Sequence, residues 1–385
     1  MKWKNKGHEY DELGAKFKGK KIILYGTAIE ASSFCSRLSR IDDGIIEAVV
    51  GDENVEIDTI YGAPIISKLE FTKYNSSDYI VILCCLDVNN YRAQAHRQIM
   101  NLGYKDGISC FNYEAFDYYY LPIFSLYACN KLYFKSICIL LTTFCNLNCK
   151  CCLNFTSYNK DKKHFDINEL KRTIDAFFSK VDIVYKFHIS GGEPFLYPYF
   201  CEIVDYIGEN YQSKIMSLRL VTNGTIMPSE KMIASLKKNS VEVEIDDYSR
   251  TLGSKSKAME ISALLSEKGI QNDLICVPSW INMDPLDKWM TDELYGKVNA
   301  CNVPFTCIKD GRLYGCIYSC FAMEAGIVSK ASVTNDSIDL ESENEKSVFL
   351  ETVQGYSERG YWEYCKGCPG HEWMGKHYVL PAQQI

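Results

Sequence analysis

The stretch Thr143-Phe144-Cys145-Asn146-Leu147-Asn148-Cys149-Lys150-Cys151-Cys152 decides how the rest of the chain is read. It carries thiols at 145, 149 and 152, spaced by three and then two residues, directly after an apolar run of strand character, Ser136 to Thr142. A structural zinc site closes on four ligands, whereas three cysteines on an iron-sulfur cubane leave one iron open to a small molecule. Cys151 stands beside the third position and can be mistaken for it on spacing alone.

Outward from that stretch, strand-like and helix-like runs alternate. Strands are expected at Ser136 to Thr142, Tyr185 to Ile189, Leu218 to Val221, Val241 to Ile245 and Asp273 to Val277. Two helix starts are legible between them: Asp166 with Glu169 three residues on forms a capping-box pair, and Ser229 precedes EKMIASLKK. Repeated β-then-α units predict a parallel sheet, open or curled towards a barrel, with its chemistry at the carboxyl ends of the strands. Polar motifs fall at those ends. Ser190-Gly191-Gly192-Glu193-Pro194 closes the second strand, Thr222-Asn223-Gly224 the third, and Asp246-Asp247-Tyr248 the fourth. The paired glycines let backbone approach a ligand closely. Asp246 and Tyr248 are candidate catalytic groups in contact with substrate, although acids at strand ends, Asp247 included, also cap helices and face water.

The ordered set CxxxCxxC, GGEP and Asn223 resembles the radical S-adenosylmethionine superfamily. The resemblance runs from about Ser136 to the last residue and implies an α/β fold with a central partial (β/α)6 barrel. It implies that Cys145, Cys149 and Cys152 hold a 4Fe-4S cluster whose open iron chelates S-adenosylmethionine. Gly191, Gly192, Glu193 and Pro194 are then expected to meet the amino group of that cofactor, and Asn223 its ribose. The chemistry implied is reductive cleavage to a 5′-deoxyadenosyl radical that abstracts hydrogen from a substrate, with electrons from a donor such as flavodoxin or ferredoxin. Cys151 departs from the family pattern, which has an aromatic residue there.

From Cys301 the regular alternation stops. A hairpin-like FTCIKDGRLYGCI, an acidic stretch, a helix and Cys365-Lys-Gly-Cys368 follow. This layout resembles the twitch and SPASM auxiliary-cluster domains and implies an auxiliary 4Fe-4S cluster, the smaller twitch form being favoured by the cysteine count. Cys316, Cys365 and Cys368 are the expected ligands, with Cys301 or Cys307 as the fourth. Cys320 is left as spare or as a hydrogen donor. Zinc on the same paired cysteines is the alternative.

Upstream, Lys20 to about Tyr113 alternates strands and helices as a small parallel α/β, Rossmann-like domain. Its first turn, Gly26-Thr-Ala-Ile-Glu-Ala31, keeps only the leading glycine of a dinucleotide fingerprint, and Asp52 follows at the distance of a ribose-binding acid. Phe111 to Phe134, aromatic-rich and without a clean period, is expected to be a connector. The domains expected are 1–125, 126–298 and 299–385. The N-terminal domain resembles nucleotide-sugar-binding domains of sugar-modifying enzymes. That points to a carbohydrate or nucleotide-sugar substrate undergoing oxidation, deoxygenation or epimerisation. A ribosomally made peptide is the alternative substrate, and a non-catalytic zinc-stabilised binding protein the alternative class.

Composition agrees with this frame. A formal net charge of −7 over 385 residues argues against nucleic acid as partner. No apolar run has signal-peptide or membrane-spanning length, so a cytoplasmic protein is expected. In a reducing compartment, 18 cysteines divide into clustered metal ligands and scattered core residues. Cys35, Cys84, Cys85, Cys110, Cys129, Cys138, Cys201 and Cys276 are read as core. No HExxH, P-loop or Ser-His-Asp pattern is present.

Overall fold

Runs rich in Ile, Val and Leu become the strands of two mainly parallel sheets. The computed structural model describes residues 1–26, 29–51, 58–85, 90–282, 305–369 and 378–385, with 294, 296, 298, 299 and 301. They form two units, Tyr10–Lys135, and Met1–Glu9 with Ser136–Ile385.

In the first unit, β1 (Lys21–Tyr25), β2 (Ile46–Val50), β3 (Thr59–Ile60), β4 (Ala63–Ile66), β5 (Tyr79–Leu83) and β6 (Cys110–Asn112) lie in the order β3-β4-β2-β1-β5-β6. All pairings are parallel except β3 with β4. With β3 set aside this is the doubly wound order, whose winding reverses between β1 and β5. Gly26 ends β1 at that reversal with φ 118°. A Cβ there would stand 3.1 Å from the Cys84 carbonyl carbon and oxygen, so only glycine fits without a backbone shift. Thr27, Ala28 and Asp52 lie outside the described residues.

The expected connector is instead helical, through Tyr113–Ala115, Phe116–Tyr120 and Leu121–Cys129. Phe116 and Phe124 are buried, and their rings pack on Phe17 at centroid distances of 6.5 and 5.5 Å. A helix wrapped by its own unit shows no polar face, which is why the sequence lacks a helical period there.

In the second unit, β7 (Tyr133–Leu140), β8 (Ile183–Ser190), β9 (Ile215–Thr222), β10 (Glu242–Asp246) and β11 (Asn272–Ile275) alternate with helices such as Ile167–Lys180 and Glu230–Lys238. Asp166 caps the first helix by accepting from the N–H groups of Asn168 and Glu169, and Ser229 caps the second through Met232. The short β12 (Trp280–Ile281) is followed by β13 (Cys307–Lys309), β14 (Arg312–Tyr314) and β15 (Ser337–Asp339), and β16 (Tyr378–Val379) pairs with β12. The large sheet has the order β11-β10-β9-β8-β7-β13-β14-β15. Its β8 to β11 pairings are parallel, as is β7 with β13. Asp310 and Gly311, both at positive φ, make the turn of the antiparallel β13–β14 hairpin.

Two sets of contacts bear on how the chain divides. The cysteine-rich region does not pack as a unit of its own, because β13 continues the main sheet with Cys307 beside Cys138 and Ile308 beside Ile139. Residues 1–9 leave the N-terminal unit, because the buried Glu351 carboxylate holds them: it accepts from Trp3 Nε1 at 2.6 Å and from the N–H groups of Gly7 and Glu9 at 2.8 Å. Removing it strands three donors. We expect Glu351→Ala to cost about 2–4 kcal/mol, read as a fall in the urea midpoint.

Most of the cysteines read as core are buried, but Cys276, just past the edge strand β11, is exposed. Among the described residues no helix is long and apolar enough to cross a membrane.

Candidate active site

The loop after β7 begins at the buried Thr142, whose hydroxyl donates to the Lys163 carbonyl and accepts from the Phe144 N–H, both at 3.0 Å. The chain then presents Cys145, Cys149 and Cys152 to one cavity of about 510 Å³. Cys151, at φ 54° and 1% exposed, is not among the residues lining it. Burial pushes the Cys145 thiol up to about 11 and Cys149 up to about 12. Both are therefore thiols until a metal displaces their protons, so loading releases protons and is favoured by rising pH. The Cys145 sulfur accepts from the Leu147 N–H at 3.4 Å and from Asn223 Nδ2 at 3.5 Å. Three cavity-facing sulfurs, with donors aimed at them, fit a thiolate-bound cluster, whose sulfurs accept hydrogen bonds. Cys138 also lines the cavity, with its thiol 3.8 Å from the Ile139 carbonyl oxygen.

The GGEP turn closes on this loop. A Cβ on Gly192 would lie 2.0 Å from the Phe144 carbonyl oxygen, and one on Gly191 2.6 Å from that of Thr142. The Gly192 N–H donates to Thr142 at 2.7 Å and that of Glu193 to Phe144 at 2.8 Å, while the Gly191 carbonyl accepts from Asn154 at 2.6 Å. The close approach that demands glycine is thus to the cysteine loop itself. Glu193 is fully buried and accepts from the Phe195 N–H at 3.1 Å, the Thr222 hydroxyl at 2.9 Å and the Asn223 N–H at 2.9 Å. It ties the ends of β8 and β9 together, with Pro194 starting the short helical turn that follows.

Burial pushes the Glu193 carboxyl up to about 7, against those three hydrogen bonds. The native state then binds this proton more tightly than the unfolded chain, and the group's contribution to stability falls as pH rises from about 4.5 through about 7. We expect the stability difference between wild type and Glu193→Gln to change by about 2–3 kcal/mol across that window. Urea titrations of both proteins at pH 5 and pH 8 measure it.

Asn223 spends its side chain on the protein: Nδ2 donates to Cys145 and, at 3.0 Å, to Asn146, while Oδ1 accepts from the N–H and hydroxyl of Thr225. Asp246 lines the cavity and accepts from the Tyr248 hydroxyl at 2.7 Å; Tyr248 lines it too, its ring set edge-on to Trp280 at 5.4 Å. Burial raises the Asp246 carboxyl to about 6. Asp247 points elsewhere, capping Ser249 and bonding Ser256.

Two further cavity groups, His188 and Glu244, escaped the motif search. The signal for Glu244 is the alternation in Glu242-Val-Glu-Ile-Asp246, polar at every second position of a strand inside the sheet that would otherwise be apolar throughout. Arg219 on β9 pairs with Glu244 and, at 2.7 Å, with Glu242. Burial, helped by Arg219 and Lys186, pushes His188 down to about 4, so the imidazole is neutral at pH 7. The described cavity wall therefore holds two carboxylates, a neutral imidazole and several hydroxyls, with no Lys or Arg among its described residues.

In the cysteine-rich region Cys316, Cys365 and Cys368 lie within electrostatic reach of one another, and Cys301 joins them. Cys307 lies in the core facing Cys320 and Cys138, and it too is within reach of Cys316. Cys301 neighbours both Cys316 and Cys365. Among the described residues no three metal-binding side chains surround the centre of a single ion; a cubane takes each thiolate on a separate iron.

A family model described as Radical SAM superfamily matches residues 139–289. Among curated proteins, the uncharacterized protein MJ0907 of Methanocaldococcus jannaschii is 32% identical over 112 residues, 29% of this chain and 37% of that protein. The antilisterial bacteriocin subtilosin biosynthesis protein AlbA of Bacillus subtilis is 31% identical over 141 residues, 34% of this chain and 30% of that protein. The matches thus span between 30% and 37% of those relatives' lengths. Among solved structures, BtrN in complex with AdoMet and 2-DOIA aligns at 17% identity and a TM-score of 0.41, covering 64% of this chain and 97% of BtrN.

Proposed function

We propose that this chain, which belongs to the radical SAM superfamily through residues 139–289, takes a hydrogen atom from a carbohydrate bound in the cavity at the carboxyl ends of β8 to β10. The observation that carries the reading is the convergence of Cys145, Cys149 and Cys152 on one cavity with Asp246, Tyr248 and His188. When bound, the reduced 4Fe-4S cluster and S-adenosylmethionine supply a carbon radical able to abstract that hydrogen. The three cysteines hold the cluster. Gly191, Gly192, Glu193 and Pro194 fix the cysteine loop against the sheet, and Asn223 fixes Cys145. Asp246, Glu244 and His188 orient hydroxyl groups. A wall rich in acceptors and without a described cation suits the sugar ring rather than a diphosphate.

Cys301, Cys316, Cys365 and Cys368 would hold an auxiliary 4Fe-4S cluster, which would supply one-electron chemistry there. A flavodoxin or ferredoxin would reduce the protein. A second reading, modification of a ribosomally made peptide, is favoured by the match to a protein named for bacteriocin biosynthesis.

The test is 5′-deoxyadenosine formation by anaerobically reconstituted protein with free sugars, amino sugars, nucleotide sugars and peptides, followed by mass analysis of each. Stimulation by a sugar with a change in its mass supports the carbohydrate reading; stimulation by a peptide alone replaces it. With the sugar identified, Asp246→Asn is expected to lose the stimulation by at least about tenfold while keeping uncoupled cleavage.

A further inference from the structure

Residues 378–385 cross the cysteine loop as a strap. Val379 pairs with Trp280 through β16 and β12, and the fully buried Ala382, at φ 56°, turns the segment into an apolar cluster with Leu147, Cys149, Tyr248 and Trp280. Beyond that turn, Gln384 stands opposite Cys149 in an antiparallel bridge. The Lys150 N–H donates to the Gln383 carbonyl at 2.6 Å, and the Ile385 N–H to the Asn148 carbonyl at 3.0 Å. The Gln384 side chain uses both its ends: Oε1 accepts from the Asn148 N–H at 2.8 Å, while Nε2 donates to the Cys149 sulfur at 3.3 Å and to the Ala382 carbonyl at 2.7 Å. Nothing in the cysteine spacing calls for this contact, since 235 residues separate Gln384 from Cys149.

We propose that Gln384 is a positioning residue for the cluster, its amide N–H hydrogen-bonded to the Cys149 ligand sulfur so as to raise the cluster's reduction potential, while the strap around it holds the cysteine loop in its ligating shape. The inference rests on the reading of Cys149 as a cluster ligand. A donor on a ligand sulfur stabilises the reduced, more electron-rich cluster over the oxidised one, so hydrogen bonds to sulfur set potential. Without the strap, the 148–150 backbone loses partners on the side facing residues 383–385 and Cys149 loses its cover. The first effect is electronic and the second mechanical.

Gln384→Met separates the two, because a neutral side chain of similar length removes the donor to sulfur without adding a charge, while the backbone bonds at Gln383 and Ile385 keep the strap on the cysteine loop. The experiment is redox titration of reconstituted wild type, Gln384→Met and a deletion of 380–385, following by electron paramagnetic resonance the signal that S-adenosylmethionine perturbs. We expect Gln384→Met to bind as much iron as wild type and to titrate at a more negative potential. The deletion is expected to bleach faster under a chelator as well. An unchanged potential in Gln384→Met at equal iron content overturns the inference and leaves the cluster reading intact. Absence of any S-adenosylmethionine-sensitive signal in wild type overturns the cluster reading, and the inference with it.

Discussion

Cys149→Ala is expected to reduce 5′-deoxyadenosine formation to background, whereas Cys368→Ala and Cys138→Ala are expected to retain it. The argument is one of ligand count. Three thiols from the loop after β7 share the cavity, and a cubane with three protein ligands has none to spare. Cys151 is placed by sequence to substitute, but it is buried and does not line the cavity. Cys138 lines it from within β7, where the register with Cys307 fixes its backbone. Cys368 belongs to the other group, with Cys316 and Cys365. Liquid chromatography of the quenched, dithionite-reduced reaction separates these outcomes. Wild-type rates in Cys149→Ala would remove Cys149 from the cluster.

Gly192→Ala is expected to lower the stability of the metal-free chain by about 2–4 kcal/mol, a cost in the upper range for overpacking because the obstruction is backbone. The added Cβ meets the Phe144 carbonyl oxygen at 2.0 Å and the carbonyl carbon at 2.5 Å, and neither can rotate away as a side chain would. Relief requires the cysteine loop to move from the GGEP turn, breaking the bonds from Gly192 to Thr142 and from Glu193 to Phe144. The same displacement shifts Cys145, the next residue. We therefore expect reduced cluster loading together with a lower urea midpoint. Gly208→Ala is a useful comparison, since the three atoms nearest its added Cβ belong to a side chain, that of Asn239, rather than to backbone.

Much of this site is legible from sequence because it is local. The cysteine spacing, the GGEP turn and the strand-end positions of Asn223, Asp246 and Tyr248 each follow from a few consecutive residues. The caps at Asp166 and Ser229 are of the same kind. What spacing left open depends on tertiary proximity. Cys301 comes near both Cys316 and Cys365, while β13 carries Cys307 into the core beside Cys138. Glu193 reads as a cofactor contact from its motif, yet its carboxylate is engaged by Phe195, Thr222 and Asn223, two of them on the neighbouring strand and its following loop. Helix 121–129 reads as a connector because its first five residues, Leu121 to Ser125, are all buried, which erases the period that marks a surface helix. The strap at 378–385 has no local signature at all, since Gln384 is an ordinary polar residue until the fold brings it to Cys149.

The most direct measurement is the electron paramagnetic resonance spectrum of anaerobically reconstituted, reduced protein, recorded with and without S-adenosylmethionine. The account predicts brown protein with a reduced 4Fe-4S signal that S-adenosylmethionine alters in wild type and that is missing from the Cys145→Ala, Cys149→Ala and Cys152→Ala variants. Colourless protein carrying zinc and no iron signal, or an iron signal indifferent both to S-adenosylmethionine and to those three substitutions, would contradict it.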